Sequence, residues 1–595
     1  MRFRAFRLRL RRIVRQQQRH ATLVTKQTDR SIERNFFGRV NRLVKVRRFV
    51  IGWVLLMVLL IGTVAAQNNA LTGYYQTTRP VPGGIFREGI VGSFTNANPI
   101  YATNDVDLSV TKLIFAGLFK YDSHNQLVGD LAESWQVDKT GQIYTITLRP
   151  NLRWHDDKPL TAKDVVYTYD VIQNPDAQSP LRSNWVGIRT EAKGDRTVVF
   201  TLPNPLSSFV DNLTNGIVPA HLLQEIPMSR LRSAPFNTQT PIGAGPFEWH
   251  DIKISGHTPA DAQESIGLVP FDKYWSGKPK LLNFSIHAFA REQDMIDAYN
   301  DTQLNAMAGL SQLPPGVDAQ TQKHSRSFIV TAANMIFFRT TSPVLKDPAV
   351  RQALVLASKP EDIIAQLGYL APRVNEPILA SQFAYNPKYA QITGKLDQAI
   401  QQLDKAGWKL GADGVRVKKT QRLSMNLVAA NTPEQRMVTG QLKKQWSKLG
   451  VELQVLLQDD ELFHTALVDH DYDAVAYGIT IGADPDVFVY WDSSQNDARA
   501  ANRLNLSEYS SDVADLALEA GRTRTGEALR RVKYASFLKA WQKDAPALGL
   551  YQPRFLYVTR DTIYGLEPQI INTASERYDN VSNWMIRTAK VTDDN

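Results

Sequence analysis

The 595 residues include no cysteine. That absence removes disulfides, thiolate zinc sites and cysteine nucleophiles, and it removes lipid attachment through an N-terminal cysteine as a membrane tether. The usual signs of hydrolytic and phosphate chemistry are missing too, with no H-E-x-x-H, G-x-S-x-G or Walker loop in the chain. Gly243 and Gly245 in "PIGAGPFEW" are followed by Glu248 where a dinucleotide fingerprint needs glycine, so they read as a tight turn. "DHDYD" sets Asp469, Asp471 and Asp473 in the rhythm of a calcium loop, but Ala474 replaces the turn glycine and Thr480 the bidentate glutamate. His155, Asp156 and Asp157 are consecutive, and three adjacent side chains on a turn seldom converge on one atom. The chain therefore reads as a non-enzyme with no cofactor and no metal.

Acidic residues are scarce at one end only. Residues 1–50 hold 16 Lys and Arg against Asp29 and Glu33, a local balance of +14, which leaves −4 of the net +10 for everything after residue 50. The basic character thus belongs to a tail, and nucleic acid is not an expected partner of the mildly acidic body. Phe49 to Ala66 follows without a charge, and no charged side chain appears before Arg79. As a helix those 18 residues would span roughly 27 Å, close to a bilayer's hydrocarbon core. Arg42, Lys45, Arg47 and Arg48 flank one end and a neutral stretch the other, which places residues 1–48 in the cytoplasm and the body outside it. A cleaved signal peptide is the alternative, because Val64-Ala65-Ala66 suits a signal peptidase. Residues 67–82, rich in Asn, Gln and Thr, read as a linker.

The body mixes strands and helices. "YTITLRP" after Gly141 and "TVVFTLP" from Thr197 alternate in the strand manner and end in turns. "SMNLVAA" and "VELQVLLQ" bracket Thr432 to Gly450, which has a capping Thr, Pro at the next position, Glu in the first turn and a closing Gly. Strand, helix and strand at this spacing predict a βαβ unit in a mixed or parallel sheet.

Several segments, in order, resemble the family 5 solute-binding proteins, the peptide, dipeptide and nickel binders of ABC importers. "GGIFREGIVGSFTNANPIYATNDVDLSVTKLIFAGLFKYD" begins at Gly83, and Leu127 to Ile172 carries the family's most recognisable stretch, "LVGDLAESWQVDKTGQIYTITLRPNLRWHDDKPLTAKDVVYTYDVI". "TPIGAGPFEW" from Thr240, "YWSGKPKL" from Tyr274, "VLKDPAVRQALVLASKPEDII" from Val344, "LDKAGWKLGADGVR" from Leu403, "YDAVAYGITIGADPDVFVY" from Tyr472 and "LSEYSSDVADLALEAGRT" from Leu506 continue it. The resemblance implies an α/β chain with a two-lobed periplasmic-binding-protein-like fold, type II and cluster C-like, with an extra subdomain in the first lobe; the hydropathy pattern sets a single transmembrane helix ahead of it. The resemblance implies a first lobe over 83–335 to which 546–590 returns, and a second over 336–545. It further implies a monomer that captures a peptide or similar small solute and hands it to the permease and ATPase subunits of an importer. A binding-protein fold reused as a surface receptor or chaperone-like module, or a surface hydrolase, are the alternatives.

The same resemblance supplies ligand-binding candidates. These are Asn98 in the Asn-Pro loop, Asn334, Phe337 and Phe338 on the strand entering the second lobe, and Tyr477, Thr480, Ile481, Asp484 and Asp486 around "DPD". Trp185 and Trp491 are candidates for an aromatic wall. Many peptide binders of the family carry an acid shortly ahead of that triplet which pairs with the peptide's α-amino group. Here the region from Gly478 to Ala483 has none. Either Asp484 takes that role or the ligand is not gripped by a free amino terminus.

Overall fold

A computed structural model describes residues 47–592, apart from 257, 259–261, 311, 315–318, 498–502 and 568–569. The basic tail lies outside the described residues except at its last two positions. Two units are resolved, residues 80–587 and a smaller one made of the segments before and after them.

In the smaller unit the apolar segment is helical, and the helix runs Arg47–Tyr75, past the predicted end at residue 66. Residues 67–75, read from composition as linker, thus continue the helix, because nothing there breaks it: no proline occurs before Pro80. Phe49–Gln67 has a mean hydropathy of 2.6 and is long and apolar enough to cross a membrane. Gln76–Val81 and Arg587–Thr592 form a two-stranded ladder.

The larger unit is built on two principal sheets. The first has eight strands in the order Ile570–Ile571, Arg326–Val330, Arg554–Thr559, Ala306–Leu310, Ile85–Val91, Asn283–Phe289, Gln263–Pro270 and Phe247–Ser255. Its centre is parallel, with Asn283 opposite Ile85, while its far edge is antiparallel. Residues between Val91 and Phe247 form an insertion around a four-stranded antiparallel sheet and the helix Ala162–Gln173. A capping box between Thr161 and Asp164 starts that helix. The turns flagged by glycine and by "WHDD" pack on each other: the His155 N–H donates to the Gly243 carbonyl at 2.9 Å. A Cβ at Gly243 would lie 1.9 Å from the Ile114 carbonyl oxygen, so close backbone approach requires glycine there.

The second sheet has five strands in the order Glu452–Gln458, Ser424–Ala430, Ala474–Thr480, Ala332–Phe338 and Ala547–Tyr551. Ser424–Ala430 and Glu452–Gln458 pair in parallel across the helix Pro433–Ser447, whose first turn is capped by the Thr432 side chain. The predicted βαβ unit is present. Ala332–Phe338 belongs to this sheet from its first residue, with Ala332 opposite Thr480, and Ala547–Tyr551 belongs to it as well. The chain therefore passes between lobes at Thr331 and at Gln552-Pro553, a few residues from the expected 335/336 and 545/546. The hydrophobic pattern explains the shift, since residues 332–338 and 547–551 are almost entirely buried and need the second lobe's two-sided core.

Beyond Arg554 the chain returns to the first lobe. Arg577 and Glu88 form a fully buried ion pair at 2.6 Å that joins the returning segment to the strand Ile85–Val91, with Ser109 and Tyr578 adding hydrogen bonds. Such a pair is tolerated in a core only when its remaining donors and acceptors are satisfied.

Candidate ligand cleft

A cavity of about 1320 Å³ lies between the lobes. The insertion supplies one wall, through Tyr121, Ser183, Asn184, Val186 and Ile188, residues 202–206, and Ser208, Asp211, Asn212 and Thr214. Asn572, Thr573 and Glu576 contribute from the rest of the first lobe. The second lobe supplies the opposite wall through 480–488 and through one side of the helix Asp512–Thr523. The lobes touch at one rim, where the Ser207 N–H donates to the Arg522 carbonyl at 2.8 Å and the Ser208 hydroxyl to Asp486 at 3.1 Å.

The carboxylates around this space fall into two groups. Asp484 is locked by Arg530, both of its oxygens accepting from the guanidinium at 2.6 Å. Burial pushes the Asp484 carboxyl up and Arg530 pulls it down. Arg530, despite its own burial, is held more firmly protonated by Asp484. With both of its oxygens taken by the guanidinium, Asp484 would have to be shared with Arg530 by any ligand ammonium. Asp486 is paired with Arg522 at 3.2 Å, and that guanidinium lies 4.2 Å from the centre of the Phe488 ring.

Among the described residues, Asp211 and Glu576 have no such partner. The Tyr121 hydroxyl donates to Oδ1 of Asp211 at 2.6 Å. Burial, reinforced by the Asp484 charge, pushes the Asp211 carboxyl up to about 7. Glu576 accepts at Oε2 from the backbone N–H and the side-chain amide of Asn572, at 2.7 and 3.1 Å. Burial and the neighbouring Asp579 raise its carboxyl also.

Of the candidates read from the sequence, Thr480, Ile481, Asp484 and Asp486 line the cavity. The others do not, and each has a physical reason. Asn98 is fully buried and closes its own turn, accepting from the Ile100 N–H at 3.0 Å and donating to Asn237 at 3.0 Å. Trp185 turns into the insertion's core and stacks on Tyr169 at 4.0 Å, while its neighbours Asn184 and Val186 face the cavity. Phe337 and Phe338 point to opposite faces of a strand whose two faces are both covered. Phe337 stacks on Trp491 at 5.5 Å, and Trp491 meets Trp541 edge-on at 5.6 Å, so all three are core. Asn334 is half-buried and stands opposite Tyr551 in the sheet, and Tyr477 packs near Phe463.

The structure adds wall residues that the sequence did not single out: Tyr121, Asp211, Phe488, Glu519, Arg522, Asn572 and Glu576. Arg522 sits in "LSEYSSDVADLALEAGRT", one of the segments carrying the resemblance, but its type and spacing gave no sign of the cleft. Of the aspartates in "DHDYD", Asp473 accepts from the Ser342 hydroxyl and the Asn426 N–H and so belongs to the second lobe's framework.

Residues 126–500 match the family model described as bacterial extracellular solute-binding proteins, family 5 Middle. The oligopeptide-binding protein AppA of Bacillus subtilis is 26% identical over 503 residues, which cover 80% of this chain and 87% of that one. Among solved structures, AppA from Bacillus subtilis in complex with a nonapeptide superposes with a TM-score of 0.65 at 23% identity, covering 86% of this chain and 100% of that one. NikZ from Campylobacter jejuni in complex with Ni(L-His) gives 0.68 at 24% identity, covering 84% and 99%.

Proposed function

Because the chain belongs to the bacterial extracellular solute-binding proteins, family 5, we propose that it captures a peptide or similar small solute outside the cytoplasm and presents it to an ABC importer. The observation that carries this reading is the cavity of about 1320 Å³ walled by both lobes, more than the volume of an ordinary small-molecule site and roomy enough for a short peptide. A ligand that contacts residues 480–486 on one side and 204–214 on the other gains those contacts only when the lobes are together, so binding favours the closed arrangement. The relative AppA is named as an oligopeptide-binding protein, which supports peptide as the ligand class. Energy for import would come from the importer's ATPase, since this sequence has no phosphate loop. The helix Phe49–Gln67 serves as the membrane anchor in this reading, in place of a lipidated cysteine.

Native mass spectrometry of the full chain in detergent, purified without refolding, tests the proposal. The expected result is a set of co-purified peptides released on denaturation. A protein that ignores a peptide library but is stabilised by another solute keeps the capture role and loses the peptide. Protection by no solute would remove the capture role itself.

A further inference from the structure

We propose that the cleft selects solutes with several cationic groups, a Lys- or Arg-containing short peptide being the occupant that fits. This rests on the capture reading above and names the substrate class of the same cavity. Asp211, Asp492, Asp515, Glu519 and Glu576 all line it, and among the described residues no Lys, Arg or His nitrogen lies within salt-bridge distance of any of them. Arg522 is the one basic side chain on the lining among the described residues, and Asp486 already pairs with it.

Among the described residues only Asp515 of the five has both oxygens hydrogen-bonded, by Ser493, and the other four each keep an oxygen for a ligand. Tyr121 and Asn572 each occupy one oxygen, leaving Oδ2 of Asp211 and Oε1 of Glu576 without a hydrogen-bond partner among the described residues. Glu576 is only 9% exposed, so water meets little of its demand. An acidic group held this way costs free energy in an empty closed cleft, and an ammonium or guanidinium on the ligand removes that cost by charge-assisted hydrogen bonding. The raised Asp211 and Glu576 carboxyls agree with this. Asp211 faces Tyr121, Asp484 and Arg530, whereas Glu576 faces Asn572, Asp579 and Lys112. Neither set supplies a hydrogen-bonding cation to the free oxygen. Walls of one sign around a low-dielectric cleft also focus the field on an incoming cation.

Isothermal titration calorimetry on the full chain in detergent, at pH 7.5 and low salt, tests this with tetra-lysine, tetra-alanine, tetra-glutamate and spermine. The expected order is tetra-lysine at least about tenfold tighter than tetra-alanine, with tetra-glutamate not binding. Glu519→Gln, at an exposed position of the wall, should weaken tetra-lysine by roughly two- to fivefold and tetra-alanine by less. Glu133→Gln, outside the cavity, should change neither. Tetra-alanine binding as tightly as tetra-lysine would overturn the charge selection while leaving peptide capture in place. Spermine bound without tetra-lysine would keep the cationic class and remove the peptide. Binding of none of the four would overturn the cationic selection, while the capture role stands or falls on the mass spectrometry described above.

Discussion

Asp484 and Asp211 stand on facing walls of one cavity, and both are half-buried aspartates in which burial raises the carboxyl. Asp484 meets a guanidinium fork on both oxygens, so its charge is spent inside the second lobe. Asp211 meets only a tyrosine hydroxyl on one, so its charge is held in reserve. The residue type and the burial are the same, yet one carboxylate fastens a helix and the other waits for a counter-charge. Whether a buried acid is structural or ligand-directed is decided by its partner, not by its place on a cavity wall.

The most forceful way to break the contrast is Arg530→Met, which turns Asp484 into an unpaired buried acid. Removing one partner of such a pair should cost about 3–5 kcal/mol, measured by denaturant unfolding. Adding Asp484→Leu should recover most of that loss. The next effect concerns pH. The Asp211 carboxyl is raised from the ordinary aspartate range to about 7, so its contribution to stability is fully present below the unfolded value and is lost as pH rises through about 7. The empty protein should therefore lose about 1–3 kcal/mol more than Asp211→Asn between pH 4 and pH 8. Matching pH profiles for the two would show that Asp211 ionises at no cost.

Phe337→Leu sharpens the contrast from beneath, because it loosens the core behind the Asp484 wall without changing any charge. It should lower stability by about 1–1.5 kcal/mol and leave ligand affinity unchanged, an outcome opposite to that of a residue in the ligand wall. The smallest effect is expected at Glu519→Gln, within about 0.5 kcal/mol of the parent in the absence of ligand, since the side chain is exposed.

The fold was readable because its signs are local. Thr432, Pro433 and Gly450 bound a helix by capping chemistry alone, and Gly243 marks a place where only hydrogen fits against the Ile114 carbonyl. Wall residues are set by what covers each face, which no local pattern records. Met335 and Phe337 pack on one side of their strand and Ile336 and Phe338 on the other. A strand with a free face would have offered one of these sets to a ligand. Trp185 and Val186 make the same point at single-residue scale, one turned into the core and the next into the cavity. Asp211 and Glu576 gave no sign at all, because they are 365 positions apart in sequence and meet at the cavity only through the return of the chain to the first lobe.

Only Thr331 and the pair Gln552-Pro553 carry the chain from one principal sheet to the other. Two short straps of this kind act as the two pins of a door, permitting rotation about the line that joins them and resisting slide and twist. The Thr331 carbonyl accepts from the Ile481 and Gly482 N–H groups at 2.9 and 3.2 Å, and its hydroxyl donates to Asn572 at 2.7 Å. The pivot is thus bonded directly to the cavity lining. A pivot so placed works as a lever with its short arm at Asn572 and its long arm at the rim where Ser207 meets Arg522. A small displacement at the lining is geared up into a larger one at the outer edge, and the motion available to the lobes is a swing rather than a shuffle.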